Sequence, residues 1–368
     1  MKILFVDNSL WSLLHFRGRV IETLLQHGHE VVLAAPYESI PPSMLISQAK
    51  IKYTPKNRTN LSLIGEIRYI KMLYSLIKET KPDKLCTYTL KPTLYGNLIA
   101  RLRKIPTISM LAGLGQLFQG SSLIYRIARG LMYFSLKSAF KIVLLNKEDE
   151  SVLLKKFSMG NRIITLRGGE GLDVQYYKPA SFDASLKVGK IVMIGRILYS
   201  KGYLQYVEAA KTIKQNHPDI EFLLAGSLDE GHPDSVPRSV LDLDAKKGYI
   251  NYIGTVDNVR DFLNDIDVFV LPSFYNEGMN RSLMEAIAMG KLVISTDHKG
   301  CREMIHDGKN GFLIPPKDSI ALEKAILKVI DMSPLKRKQM GTESRKIAEE
   351  RFSDINVINL YANLIEDQ

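Results

Sequence analysis

Cysteine is scarce. Cys86 and Cys301 are the only two among 368 residues and lie far apart, too few for a disulfide framework, which points to a reducing compartment and by default the cytoplasm. No apolar run reaches the roughly 18 residues that cross a bilayer. The opening Met1-Lys-Ile-Leu-Phe-Val-Asp7 meets an acid after four apolar positions, too early for the apolar stretch of a secretion signal. The expectation is a chain that is neither secreted nor membrane-spanning. The seven histidines fall into no metal-ligand spacing: His27 and His29 flank a turn glycine, and His298 and His306 sit in loops near a single cysteine, so no metal site is expected. Internal repeats and low-complexity tracts are also missing. The 25 glycines and 15 prolines belong to an average composition, which argues against collagen-like and disordered classes.

Acidic residues are missing from one long window. Between Lys84 and Lys147 there are ten basic residues and no acid, and residues 1–180 hold 26 Lys and Arg against 12 Asp and Glu, while the remainder holds 24 against 27. Something anionic is expected against the first half. Leu117-Phe118, Leu123-Ile-Tyr125 and Leu131-Met-Tyr-Phe134 interleave there with Arg126, Arg129 and Lys137. An amphipathic, cationic segment of this kind binds anionic headgroups, so peripheral attachment to the inner face of the cell membrane is expected. The blander alternative is a core-facing helix with a solvated basic back. A nucleic-acid binder would also account for the charge through phosphate contacts. The chain lacks the clustered basic and aromatic motifs of RNA-binding sheets, so no nucleic-acid partner is expected.

What is present is alternation. Short β-rich runs near 2–6, 29–35, 51–54, 84–88, 106–110, 141–145 and 162–166, then 190–195, 219–225, 249–253, 267–271, 291–295 and 311–314, are separated by helical patterns, the signature of parallel sheets covered by helices. Ile191-Val-Met-Ile and Asp267-Val-Phe-Val-Leu read as strands buried on both faces. The length suits two domains: 1–173 as a first unit, 174–188 as a polar, proline-bearing linker, 189–350 as a second unit, and 351–368 as a terminal helix that could pack back on the first. The fold class expected is α/β with two Rossmann-like parallel sheets facing across a cleft, and ligands bind beyond the carboxyl ends of such strands.

Two places carry the chemistry. The strand ending at Ile194-Gly195-Arg196 leads to Lys201-Gly202 and a helix for which Ser200 is a plausible cap. Arg196 and Lys201 can direct two cations at an anionic ligand such as a diphosphate, or can form ordinary surface ion pairs. The second place is Pro272-Ser-Phe-Tyr-Asn-Glu277-Gly278-Met279-Asn280-Arg-Ser282-Leu283-Met-Glu285. Gly278 permits close backbone approach, and a helix opening near Asn280 directs free amides outward. Glu285 shares a helix side with Arg281 and is either a dipole partner or a grip for the two hydroxyls of a ribose.

Glu277 and Glu285 stand as the E-x7-E motif of glycosyltransferase family 4, and the chain resembles that family through Leu271-Pro-Ser, Glu285-Ala-Ile-Ala-Met-Gly, Asp307-Gly-Lys-Asn-Gly and the Gly195-Arg196 to Lys201-Gly202 spacing. The resemblance implies a GT-B fold. It implies that Arg196 and Lys201 hold the donor diphosphate, that Glu277 with the amides from Gly278 to Leu283 (Met279, Asn280 and Ser282 included) holds the donor sugar, and that Glu285 binds ribose. Arg196, Lys201 and Glu277 are thereby the expected catalytic residues. The first half is similar more loosely, through Leu14-His15-Phe16-Arg17-Gly18, taken as a loop, and Tyr88-Thr-Leu-Lys91-Pro. His15, Arg17, Gly18 and Lys91 are the acceptor-side candidates. Many relatives carry a His where Ala112-Gly-Leu-Gly stands, so no catalytic His is assigned there.

These features together resemble bacterial transferases that extend lipid-linked oligosaccharides. The implied reaction moves a sugar, an N-acetylhexosamine, from a UDP-sugar to a polyprenyl-diphosphate saccharide with retention of anomeric configuration, without cofactor or metal, in the assembly of a surface glycan such as lipopolysaccharide, O-antigen or capsule, or of a glycoprotein glycan. A sugar-nucleotide epimerase shares the two-sheet architecture and binds the same donor, but the E-x7-E arrangement resembles transferases more.

Overall fold

The computed structural model describes residues 1–55, 63–114, 122–155, 160–166, 168–180, 187–275 and 278–367. The chain forms two compact units, Met1–Gly171 with Asp354–Gln368, and Leu172–Ser353.

In the first unit the strands β1 (Lys2–Val6), β2 (Glu30–Pro36), β3 (Lys50–Thr54), β4 (Lys84–Tyr88), β5 (Thr107–Leu111), β6 (Lys141–Leu144) and β7 (Ile163–Thr165) form one sheet in the order β3-β2-β1-β4-β5-β6-β7. Every pairing is parallel. The covering helices are α1 (Leu10–Gln26), α2 (Leu63–Thr80), α3 (Leu90–Leu102), α4 (Leu123–Leu136) and α5 (Lys147–Leu154). Residues 14–18 are helical rather than a loop. Ser9 caps α1 by accepting from the Ser12 amide at 3.1 Å, and Leu10, Leu13, Leu14, Arg17, Val20, Ile21 and Leu24 recur on its buried face, as an amphipathic helix requires.

In the second unit β8 (Lys190–Ile194), β9 (Glu221–Ala225), β10 (Asn251–Gly254), β11 (Val268–Leu271), β12 (Leu292–Thr296) and β13 (Gly311–Ile314) take the order β10-β9-β8-β11-β12-β13, again all parallel. Between them run α6 (Tyr203–Asn216), α7 (Arg238–Lys246), α8 (Val259–Asn264), α9 (Arg281–Ala288) and α10 (Lys299–Arg302), followed by α11 (Ser319–Ile330) and α12 (Pro334–Arg351). Alternate residues of the two central strands enter opposite cores: Ile191, Met193, Val268 and Val270 on one face, Val192, Ile194, Phe269 and Leu271 on the other. That is why their sequences are continuous apolar runs.

The stretch expected as a linker is not free at its start. Val174 and Tyr177 pack in the second unit's core, and Arg345 donates to the carbonyls of both. A polar, aperiodic sequence is here fixed by one guanidinium satisfying its backbone. The last helix, α13 (Ile355–Glu366), lies in the first unit. Val357, Tyr361, Leu364 and Ile365 join the α1 side chains in one core, and Arg19 holds Asp354 at 2.7 and 2.8 Å. No described helix is long and apolar enough to cross a membrane.

Tyr361 is fully buried, so truncating it leaves a cavity. Tyr361→Ala is expected to destabilise the first unit by about 3–5 kcal/mol, seen as an earlier urea transition while that of the second unit stays in place. An unshifted first transition would show that α13 adds nothing to this core.

Candidate functional site

Strand order in the second sheet reverses between β8 and β11, and open α/β sheets take their ligands in the crevice beyond the strand ends at such a switch point. The β8 loop carries Gly195, Arg196 and Lys201; the β11 loop carries Pro272 to Asn280. They touch through backbone. Gly202 has φ +93°, and a Cβ there would lie 2.4 Å from the Pro272 carbonyl oxygen, so only glycine lets the loops approach this closely. The Phe274 amide also donates to the Ser200 carbonyl at 2.8 Å. The Ser200 side chain does not cap a helix. Its hydroxyl and amide both donate to Asp234, and α6 begins after Gly202 instead. A Cβ on Gly195 would meet nothing within 4 Å, which leaves open space at the strand's end.

This arrangement brings the two expected cations to one ring. The Arg196 guanidinium and the Lys201 ammonium each lie 5.3 Å from the centroid of Tyr275. Arg196 also donates to Asp229 at 3.3 Å. Burial by itself would lower its pKa, but the Tyr275 hydroxyl and Asp229 outweigh that and raise it. Lys201 is only 4% exposed, far from an ordinary surface lysine. The guanidinium and the ammonium thus converge on one aromatic ring at the crevice, where the ring's electron-rich face attracts cations.

Across the crevice α9 begins at Arg281. Asn280 caps it by accepting from the Leu283 amide at 3.0 Å, and Ser282 places its hydroxyl 2.8 Å from the Ile194 carbonyl and 2.8 Å from Asn280 Oδ1. The start of this helix is thus tied to the end of β8. Gly278 is buried and Met279 packs against the core. Glu277 lies outside the described residues. Glu285 is 4% exposed, and its Oε1 accepts from the Tyr177 hydroxyl at 2.9 Å and from Arg281 Nε at 3.0 Å. Burial raises the Glu285 pKa, with Arg281 and Tyr177 pulling against it. Its carboxylate is held in a fixed direction, as a hydrogen-bond acceptor for paired hydroxyls must be.

The first-unit candidates divide. Arg17 is buried, bridges Glu170 at 3.0 and 2.7 Å and stacks 4.3 Å over Tyr88; its charge is spent inside the unit, so the structure does not present it to a ligand's phosphates. Lys91 lies near the end of β4 and pairs with Glu66 at 2.6 Å, which also accepts from the Tyr95 hydroxyl. Just before it Thr89 turns the chain at φ 64°, ψ 169°, a conformation that costs side-chain-bearing residues on the order of 1–3 kcal/mol. Gly18 sits within α1, where a Cβ would meet only Ile46 at 4.0 Å. His15 stacks on Trp11 with centroids 4.2 Å apart. Among the described residues no group of three or more His, Cys, Asp and Glu side chains could hold a metal.

Tyr275, Tyr177 and Asp229 join the site beyond the residues that the motifs single out. Tyr275 stood inside the motif already singled out, so an aromatic between a strand end and a glutamate was the available signal. Tyr177 carried none, since it was read as linker.

Residues 2–146 match the family model "Glycosyl transferase 4-like" and residues 178–347 the model "Glycosyl transferases group 1". The chain is similar to the N,N'-diacetylbacillosaminyl-diphospho-undecaprenol alpha-1,3-N-acetylgalactosaminyltransferase of Campylobacter jejuni, at 25% identity over 91% of each chain. It is also similar to the UDP-Gal:alpha-D-GlcNAc-diphosphoundecaprenol alpha-1,3-galactosyltransferase of Escherichia coli, at 28% identity over 76% of this chain and 74% of that one. Among solved structures, Anabaena HepE in complex with UDP and glucose covers both chains fully with a TM-score of 0.81 at 18% identity. With two family matches in chain order over the two parallel sheets of a GT-B fold, the chain belongs to the family 4-like, group 1 glycosyltransferases.

Proposed function

We propose that this enzyme transfers an N-acetylhexosamine from a UDP-sugar to a saccharide carried on a polyprenyl diphosphate, with retention of configuration, in the assembly of a surface glycan. The observation that carries the reading is the convergence of Arg196 and Lys201 on Tyr275 at the switch point. The bond between the anomeric carbon and the diphosphate breaks, the acceptor hydroxyl oxygen bonds to that carbon on the same face, and its proton passes to the departing diphosphate. The charge that develops there is met by Arg196 and Lys201, with the α9 amides beside them, and needs no metal. Glu285 takes the ribose hydroxyls, while Glu277 and the amides from Gly278 to Ser282 take the sugar, the Leu283 amide being held by Asn280. The Campylobacter and Escherichia relatives, named for diphosphoundecaprenol acceptors, support the acceptor class, and HepE, solved with UDP, supports the base.

A membrane-borne acceptor fits α4. Its inner face buries Met132, Tyr133 and Leu136, but Leu123, Ile127, Leu131 and Phe134 form a second apolar stripe that is exposed. Arg126 and Lys137 are exposed on the same helix, and Arg101 of α3 lies 5.2 Å from the Phe134 ring. A helix with a solvated basic back has no use for that outer stripe; a helix lying on the inner leaflet does.

Arg196→Ala and Lys201→Ala are each expected to lower turnover tenfold or more at saturating donor, since one charge-stabilising group contributes about 3 kcal/mol. Turnover near wild type in either variant would make that residue structural. Calorimetry with UDP should show weaker binding to Glu285→Ala; unchanged affinity would remove the ribose assignment. Flotation with phosphatidylglycerol vesicles should recover the protein, less so with added salt or with Arg126→Glu and Arg129→Glu, each basic residue contributing about 1 kcal/mol. Equal recovery with neutral vesicles at any salt would contradict the electrostatic attachment.

A further inference from the structure

We propose that Trp11, backed by His15, is a stacking platform for a pyranose ring of the acceptor saccharide, with Tyr37 and Tyr53 at the ends of the neighbouring strands; this rests on the acceptor reading above. Trp11 is the single tryptophan of the chain. It stands in the first turn of α1, at the carboxyl edge of the first sheet, where open α/β sheets take their ligands. Its position is fixed at the backbone: its amide donates to Glu38 Oε2 at 2.9 Å, and the same oxygen accepts from the Ser9 hydroxyl at 2.8 Å.

The indole is fixed as well. The imidazole of His15, one turn on, lies parallel to it at 4.2 Å and 13°, and Phe16 meets it edge-on at 5.7 Å and 88°. One indole face is therefore covered by the imidazole, yet the residue is 41% exposed. Single exposed apolar side chains are ordinary; this one has company. Tyr37, adjacent to Glu38 at the end of β2, and Tyr53 on β3 are 70% and 57% exposed, with ring centroids 5.3 Å apart. Three exposed aromatics thus stand along the ends of three neighbouring strands.

The chemistry suits a sugar better than a lipid. An aromatic face is electron-rich and attracts the weakly positive C–H groups on the apolar side of a pyranose, while the ring's hydroxyls stay in water. The residue supporting the platform is a carboxylate, Glu38, where the α4 surface has arginines. A stack also tolerates changes in hydroxyl configuration, so this site would hold the acceptor's sugar in place and leave linkage to other contacts.

The single tryptophan makes the test direct. The probe is N-acetylglucosamine linked to farnesyl diphosphate, with farnesyl diphosphate alone as control. Saturable change in Trp emission with the sugar-bearing probe and none with the control is expected. Trp11→Ala and Tyr37→Ala should raise the acceptor KM, the former about tenfold, with donor KM and kcat held, and Trp11→Phe should restore most of the loss. An equal emission change with the control, or an unchanged acceptor KM in Trp11→Ala while wild type transfers sugar, would overturn the platform and leave the acceptor reading intact. Wild type that titrates its indole with the probe yet transfers nothing to it would support the stacking site and overturn the acceptor reading.

Discussion

The Gly202 α-carbon rests against the Pro272 carbonyl, where a Cβ would come within 2.4 Å, and the geometry of the crevice between β8 and β11 follows from that approach. It draws the β8 loop under the β11 loop and makes the Phe274 to Ser200 hydrogen bond possible. It also sets Lys201, one residue earlier, beneath the ring that Arg196 approaches from the strand end. The same economy recurs at Gly226, with φ +138°, where a Cβ would lie 1.8 Å from the Gly195 oxygen. Backbone packed on backbone lets two loops act as one rigid surface, which is what a site that stabilises developing charge requires.

Much of this was legible in the sequence, for physical reasons. Each expected strand lies within a residue or two of an observed one; inner strands such as β8 and β11, buried on both faces, leave apolar runs, while β3 and β10 are largely exposed. Asn280 could be read as the start of α9 because a capping side chain is a local signal. Where the partner is distant, local signals mislead. Ser200 resembles a cap but serves Asp234, and residues 14–18 look like a loop until Ser9 and Glu38 are seen closing the helix start. Tyr177, set in a polar stretch, reaches Glu285 across 108 positions, a pairing no periodicity encodes.

The basic surplus of the first half also resolves into parts. Arg17 is cancelled by Glu170 inside the unit, and Lys91 is paired with Glu66. Lys84 is buried against the carbonyls of Leu364 and Asp367. What remains outward includes Arg101, Lys104, Arg126 and Lys137 around α3 and α4, beside exposed apolar side chains, and Arg68, Lys71 and Lys78 on α2. A count of charges along the chain cannot separate cations consumed by the core from those offered to a surface, and the structure makes that separation residue by residue.

The return of α13 to the first unit bears on how the polypeptide is made. The first sheet leaves the ribosome early, but the core between it and α1 lacks Val357, Tyr361, Leu364 and Ile365 until the whole second unit has been synthesised. Domains generally fold as they emerge, N-terminal first; here the earlier unit must wait, partly open, for the later one to finish. A chain released prematurely therefore exposes an apolar seam on its N-terminal half, which marks it for chaperones and proteases.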